Sequence, residues 1–152
     1  MVARTYFGIG PAETAVGKFN DLRPHVVEML SLRSECEPMG SDYMAMSIAL
    51  DGLDTAAFHF TRRRDFYHQV EAPPYQVGNG RLRDREAAKD AFLALTPYAN
   101  ALRQMQFGCR PFGRDYMALD VAKQSLDTTV YHFTGDAHFF GAKSDSSGPL
   151  RP

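Results

Sequence analysis

Two histidines occupy equivalent places in a repeated aromatic motif, and they are the first candidates for chemistry. His59 lies in Phe-His-Phe-Thr and His132 lies in Tyr-His-Phe-Thr. Histidine titrates near neutral pH and binds metals through a neutral ring nitrogen. The repeated pair therefore predicts acid–base groups or metal ligands. The alternative interpretation is a hydrogen-bonded histidine kept for packing in both copies.

One cysteine accompanies each histidine, at Cys36 and Cys109. Two cysteines and two histidines have the ligand types of a tetrahedral zinc site. Structural zinc sites usually bring their ligands in close pairs, whereas every spacing here is long. We therefore assign no metal and leave the cofactor unknown. The alternatives are a small buried thiol in each copy or a disulfide between Cys36 and Cys109.

Acidic and aromatic residues repeat together with the histidines and complete a candidate binding site. If they converge on a cleft between the two copies, they form an aromatic pocket with acidic ends, which suits an aromatic or cationic small molecule. The candidate ligand-binding residues are Asp42, Tyr43, Phe58, His59, Asp115, Tyr116, Tyr131 and His132. The alternative role for the two aspartates is to fix a turn through backbone hydrogen bonds.

These residues recur because the chain is an internal duplication. Residues 42–61 return 73 positions later as residues 115–134, with 11 of 20 positions identical. Unrelated segments of average composition would share about one. The same offset pairs Pro24 with Pro97 and Cys36 with Cys109. Positions that agree between the copies indicate a shared backbone constraint or a shared site.

The segment before each repeated motif has helical periodicity. Apolar residues recur at spacings of three and four from residue 13 to about residue 33, and the counterpart runs from about 84 to 107. Each helix should kink or restart at its proline, Pro24 or Pro97, because an interior proline loses a backbone hydrogen bond. Thr96 is the expected N-cap of the second restart.

The repeated motif itself permits two folds. A helix would collect Ala45, Ala49 and Leu53 on one face. A hairpin fits the alternation of Met44, Met46 and Ile48 and would turn at Asp51-Gly52, with the second copy turning at Gln124-Ser125. We favour hairpins, which would also place His59 beside Cys36.

The predicted fold class is therefore α+β. Two β-α-β-β units, related by a pseudo-twofold, share one sheet with both helices packed on one side. Their opening strands are predicted at residues 2–7 and near 75–77, and further short strands at 65–70 and 137–140. An all-α four-helix arrangement is the architectural alternative.

The predicted organisation is a first unit over residues 1–74, a second over 75–142 and a mobile tail over 143–152, all in one structural domain. Each unit alone is too small to bury enough surface for stability. A construction from two similar halves predicts a concave surface between them, and hence binding of a small molecule. The alternatives are an enzyme that uses the repeated histidines in metal or acid–base chemistry, and a dimerising interaction module.

Composition narrows the expected partners and location. A formal net charge of -1 gives no basic footprint for nucleic acid. The N-terminus has no charged segment followed by an apolar run, and no stretch is apolar for long enough to span a membrane. These features predict a cytoplasmic protein with a small-molecule ligand, no nucleic-acid or membrane partner, and a possible homodimer.

Overall fold

A computed structural model of the protein describes residues 8–78 and 80–141. Within these residues there are six α-helices, one short 3-10 helix and no β-strand. The elements, in chain order, are α1 (Ala12–Asn20), α2 (Arg23–Arg33), α3 (Ser41–Thr61), the 3-10 helix (Gly80–Leu82), α4 (Arg85–Leu93), α5 (Thr96–Phe107) and α6 (Arg114–Thr134). None of these helices has the length and hydropathy needed to cross a membrane.

The α+β prediction is wrong, and the all-helical alternative is the one that fits. Both repeated motifs are continuous helices of 21 residues, so the predicted hairpin turns at Asp51-Gly52 and Gln124-Ser125 do not form. A strand would place Met46 and Ile48 on the same face. In α3 they lie on opposite sides of the helix: Met46 is fully buried and Ile48 is 42% exposed. The glycine at 52 serves a close helix contact instead of a turn.

The other predicted strands are also absent from the described residues. Residues 65–70 and 137–140 form turns, and residues 75–77 have no regular structure. The predicted opening strand at 2–7 and the tail at 143–152 lie outside the described residues. All regular secondary structure in the described residues is therefore helical.

The prolines divide the first half of each repeat into two helices, as the sequence predicts. Pro24 and Pro97 each lie in the first turn of the restarted helix, where no intrahelical N–H donor is required. Thr96 is the first residue of α5 and not its cap, because Leu95 holds the N-cap position without a side-chain hydrogen bond. Asp84 caps α4 by accepting a hydrogen bond from the Ala87 N–H at 2.8 Å.

The two long helices, α3 and α6, form the antiparallel centre of the molecule. Small residues on their facing sides allow a close approach: Ala45, Ala49, Gly52 and Ala56 on α3, and Ala118, Ala122, Ser125 and Thr129 on α6. The Thr129 hydroxyl donates to the Ala45 carbonyl at 2.6 Å across this contact. Helices α1 and α2 pack on α3, while α4 and α5 pack on α6. The opposite side of the α3–α6 pair faces solvent.

Two contacts locate the pseudo-twofold axis. Gly52 and Ser125 occupy the same position in the two repeats, and they touch where α3 crosses α6. His25 and Tyr98 are also repeat equivalents, and their ring centroids lie 5.7 Å apart. Residues that contact their own counterparts must lie on the axis that relates the repeats. Both repeats contribute to one contiguous core around this axis.

Candidate functional site

The repeated histidines and aspartates pair across the two repeats. Nε2 of His59, near the end of α3, lies 2.9 Å from Oδ1 of Asp115 at the start of α6. The symmetric pair joins Nε2 of His132 to Oδ1 of Asp42 at 2.8 Å. The histidines are partly exposed, with 29% and 38% of their side chains accessible. The two pairs tie the ends of the antiparallel helices together.

The helical geometry separates each histidine from the cysteine of its own repeat. The predicted proximity of His59 to Cys36 is wrong, because Cys36 precedes the start of α3 and His59 lies at its other end. Asp42 and His59 are seventeen positions apart on one helix, a rise of roughly 25 Å. Cys36 instead lies in the turn six residues before Asp42, and Cys109 lies six residues before Asp115.

Both cysteines are buried free thiols. Burial is the main cause that raises the pKa of Cys36, to about 11, and it also raises the pKa of Cys109. Among the described residues, no group of three or more histidine, cysteine or acidic side chains is arranged to hold a metal ion. The cysteines are thus positioned as small core residues of the turn before each long helix.

The eight candidate ligand-binding residues fall into two symmetric groups, one at each end of the α3–α6 pair. One group holds Phe58, His59, Asp115 and Tyr116, and the other holds Tyr131, His132, Asp42 and Tyr43. Each group combines residues from both repeats. Between the groups the helices are in direct contact at Gly52 and Ser125.

The aromatic members of these groups differ in their surroundings. The Arg33 guanidinium lies 4.6 Å from the ring centroid of Tyr43. Tyr116 packs against Phe112, with ring centroids 5.4 Å apart. Phe58, whose ring centroid lies 5.3 Å from the Arg64 guanidinium, is 36% exposed, and Tyr131 is 56% exposed. These last two rings belong to a larger exposed surface.

That surface, the open face, runs along the solvent side of both long helices. It consists of Met44, Ile48, Asp51, Thr55 and Phe58 on α3, and of Met117, Val121, Gln124, Thr128 and Tyr131 on α6. The five positions in each repeat are equivalent and follow helical spacing, so they share one side of each helix. Six of the ten are large apolar side chains, each at least 36% exposed.

Four of these apolar residues were not among the predicted site residues: Met44, Ile48, Met117 and Val121. The signal in the sequence was the agreement between repeats, since methionine recurs at the first pair and a β-branched residue at the second. Under the hairpin interpretation this agreement indicated a strand facing a core. Only the helical phase shows that these side chains point away from the core.

A second repeated carboxylate was also overlooked as a site residue. Asp54 and Asp127 are equivalent, and under the hairpin interpretation they would follow the turns at Asp51-Gly52 and Gln124-Ser125. Both instead lie mid-helix and half-buried, and desolvation is the main cause that raises the pKa of each. Both repeats therefore keep an aspartate, Asp54 or Asp127, whose ionisation becomes less favourable on folding.

Comparison with known proteins adds no family or fold relative. No protein-family model matches the chain, and no significant similarity to a curated protein or to a solved structure is found.

Proposed function

We propose that this protein is an interaction module that forms a homodimer through the open face. The observation that carries the proposal is the retention of large apolar side chains at three exposed positions in both repeats. Met44 corresponds to Met117, Ile48 to Val121 and Phe58 to Tyr131. Exposed apolar side chains that cluster on one surface mark interaction sites more often than isolated ones do.

The composition of the open face favours a protein partner. Asp51 is its only charged residue among the ten. Methionine and aromatic residues are enriched in the buried centres of protein interfaces, and charged residues are depleted there. The open-face positions span residues 44–58 of α3 and 117–131 of α6, so they form a stripe along most of each long helix.

The symmetry of the open face favours a second copy of the chain as that partner. Because the pseudo-twofold axis passes through this face between α3 and α6, the two halves of the face present nearly the same side chains. An isologous dimer needs a self-complementary patch on each subunit. Two α3–α6 pairs packed face to face would form a four-helix arrangement with the six apolar side chains of each copy in its core.

A cytoplasmic location is part of this proposal. Both cysteines are free in the structure, and reduced thiols are the usual state in the cytosol.

Sedimentation or light-scattering mass measurements, taken from micromolar to millimolar concentration, test the dimer. We expect the wild-type mass to reach that of two chains and the double variant Ile48→Glu, Val121→Glu to remain a monomer with an unchanged helical spectrum. The matched control is Val27→Glu, because Val27 is 52% exposed on α2, outside the open face. The control variant should still dimerise. A wild-type protein that stays monomeric at the highest concentration would overturn the proposal.

A further inference from the structure

A cavity in the second repeat combines opposite charges with an apolar wall. It has a volume of about 280 Å³ and lies between α5, α6 and the segment after α6. Its charged and polar lining includes Arg103, Lys123, Asp127 and His138, and its apolar lining includes Leu126 and Phe140. The volume lies just below the range of roughly 300–1,000 Å³ that is typical of small-molecule pockets. A ligand of amino-acid size would fit such a space.

The two cations in this cavity are held in place and still have donors to offer. The Arg103 guanidinium donates to the Phe140 carbonyl at 3.1 Å and to the Asn100 side chain at 3.2 Å. The Lys123 ammonium donates to the Gln106 side chain at 3.0 Å. An arginine has five N–H donors and a lysine three, so each keeps donors for an incoming anion.

The acidic group of the cavity is Asp127. Burial raises the pKa of its carboxyl, while Lys123, His138 and Arg103 each act to lower it. All three groups line the same cavity as Asp127. A carboxylate flanked by cations can accept hydrogen bonds from a ligand amine, while the cations receive a ligand carboxylate.

The equivalent cavity of the first repeat shows what is particular to the second. In the first cavity, Leu30 occupies the position of Arg103 and Leu50 occupies the position of Lys123. The aspartate is present in both cavities, as Asp54 in the first and Asp127 in the second. The Asp54 carboxylate accepts a hydrogen bond from the Phe66 N–H at 3.1 Å. No corresponding bond to Asp127 occurs among the described residues. The second cavity thus holds two cations where the first holds two leucines, and its carboxylate keeps acceptor capacity.

We propose that the cavity of the second repeat binds a small zwitterion with an apolar side chain, of the size and charge pattern of an aliphatic amino acid. Arg103 and Lys123 receive its carboxylate, Asp127 receives its ammonium group, and Leu126 and Phe140 contact its apolar part. None of the six apolar side chains of the open face lines this cavity, although Tyr131 lines the neighbouring one together with Lys123 and Asp127.

Three related probes separate the roles of the charged groups: L-leucine, 4-methylpentanoate, which lacks the amine, and 3-methylbutylamine, which lacks the carboxylate. Calorimetric titration of the full-length protein should show L-leucine binding at least about tenfold more tightly than either fragment, because each fragment loses a charge-assisted hydrogen bond. No detectable binding of L-leucine at millimolar concentration would overturn the proposal. Equal or tighter binding of either fragment would overturn it as well.

Variants taken from the first repeat provide the matched test. Arg103→Leu and Lys123→Leu introduce the residues that the same scaffold holds at the equivalent positions, and each should weaken L-leucine binding by about tenfold or more. Asp127→Asn should remove the preference for L-leucine over 4-methylpentanoate. Arg103→Gln provides a polar substitute of similar length if the leucine variant does not fold. Unchanged L-leucine affinity in a folded Arg103 variant would contradict the assigned contacts.

Discussion

Gly52 and Ser125 are the same position in the two repeats, and they meet where α3 crosses α6. A side-chain carbon on Gly52 would overlap both the hydroxyl and the Cβ of Ser125, and would lie 3.2 Å from the Val121 carbonyl oxygen. The close approach of the long helices therefore depends on having no side chain at one of these two equivalent positions. The two repeats have diverged here, and that difference lets a symmetric pair pack tightly.

Gly52→Ala should destabilise the protein despite the better helix propensity of alanine. The added methyl group must push the helices apart, and overpacking of this kind costs about 1–3 kcal/mol. The propensity gain of about 1 kcal/mol offsets only part of that cost. The free energy of unfolding, measured by urea denaturation, checks the direction.

The matched control is Gly17→Ala in α1, where an added Cβ meets nothing within 4 Å. This variant should stabilise the protein by up to about 1 kcal/mol. The exchange variant Gly52→Ser with Ser125→Gly moves the glycine to the other helix and should recover most of the stability lost in Gly52→Ser alone. If Gly52→Ala were as stabilising as Gly17→Ala, the tight crossing would be disproved.

Removing either repeated histidine should have a small effect on stability. His59 and His132 are partly exposed and each contacts one aspartate of the other repeat. Exposed ion pairs contribute about 0–1 kcal/mol, so His59→Ala and His132→Ala should each lower the free energy of unfolding by less than about 1 kcal/mol. Double-mutant cycles with Asp115→Asn and Asp42→Asn measure the two couplings. A loss of several kcal/mol from either alanine variant would indicate a core role instead.

Asp127→Asn should stabilise the protein at neutral pH. Burial raises the folded-state pKa of Asp127 above its ordinary value of 3.8. The folded state then binds the proton more tightly than the unfolded state, so ionisation lowers the free energy of unfolding as pH rises through the interval between the two pKa values. The full destabilisation caused by ionised Asp127 is present above the pKa of the folded state, and it is absent below the pKa of the unfolded state.

The difference in melting temperature between Asp127→Asn and wild type should therefore depend on pH in a defined way between pH 3 and pH 7. The gain in melting temperature over wild type should be largest near pH 7 and should vanish as the pH falls below about 4. Asp90→Asn, which changes an exposed carboxylate on α4, is the surface control. A stability gain that grows toward low pH would contradict the assigned direction of the pKa shift.

A chain that ends at Pro74 should not fold as a stable monomer. Without the second repeat, α3 would expose the small-residue side that it packs on α6, and about 70 residues rarely bury enough surface alone. Circular dichroism and mass measurements would then show an unfolded or self-associated chain. A cooperative melt from a monomeric 1–74 fragment would show that each repeat is an independent domain.

The sequence by itself revealed the internal duplication, and local sequence features set several helix boundaries. The offset of 73 relates the bounds of α1 to those of α4 and the bounds of α3 to those of α6. The predicted helix restarts at Pro24 and Pro97 are confirmed, because the missing N–H donor of a proline affects only the helical turn in which that proline lies. Effects of this kind depend on neighbours in the chain, which the sequence displays directly.

The choice between helix and hairpin could not be made from residues 42–61 and 115–134 alone. Their apolar positions fit both a period of two and a period near 3.6, and short apolar patterns are ambiguous in this way. The deciding contribution is the contact between the two long helices, where small residues bury one side of each. That contact joins residues far apart in the chain, so no local preference reports it.

The partners of the repeated site residues were likewise set by tertiary structure. The sequence showed that His59 and His132 are equivalent, and it placed an aspartate in each repeat. It did not show that each histidine binds the aspartate of the other repeat. Within one repeat, helix α3 holds Asp42 and His59 at opposite ends, and only the antiparallel packing of α6 brings Asp115 within hydrogen-bonding distance of His59.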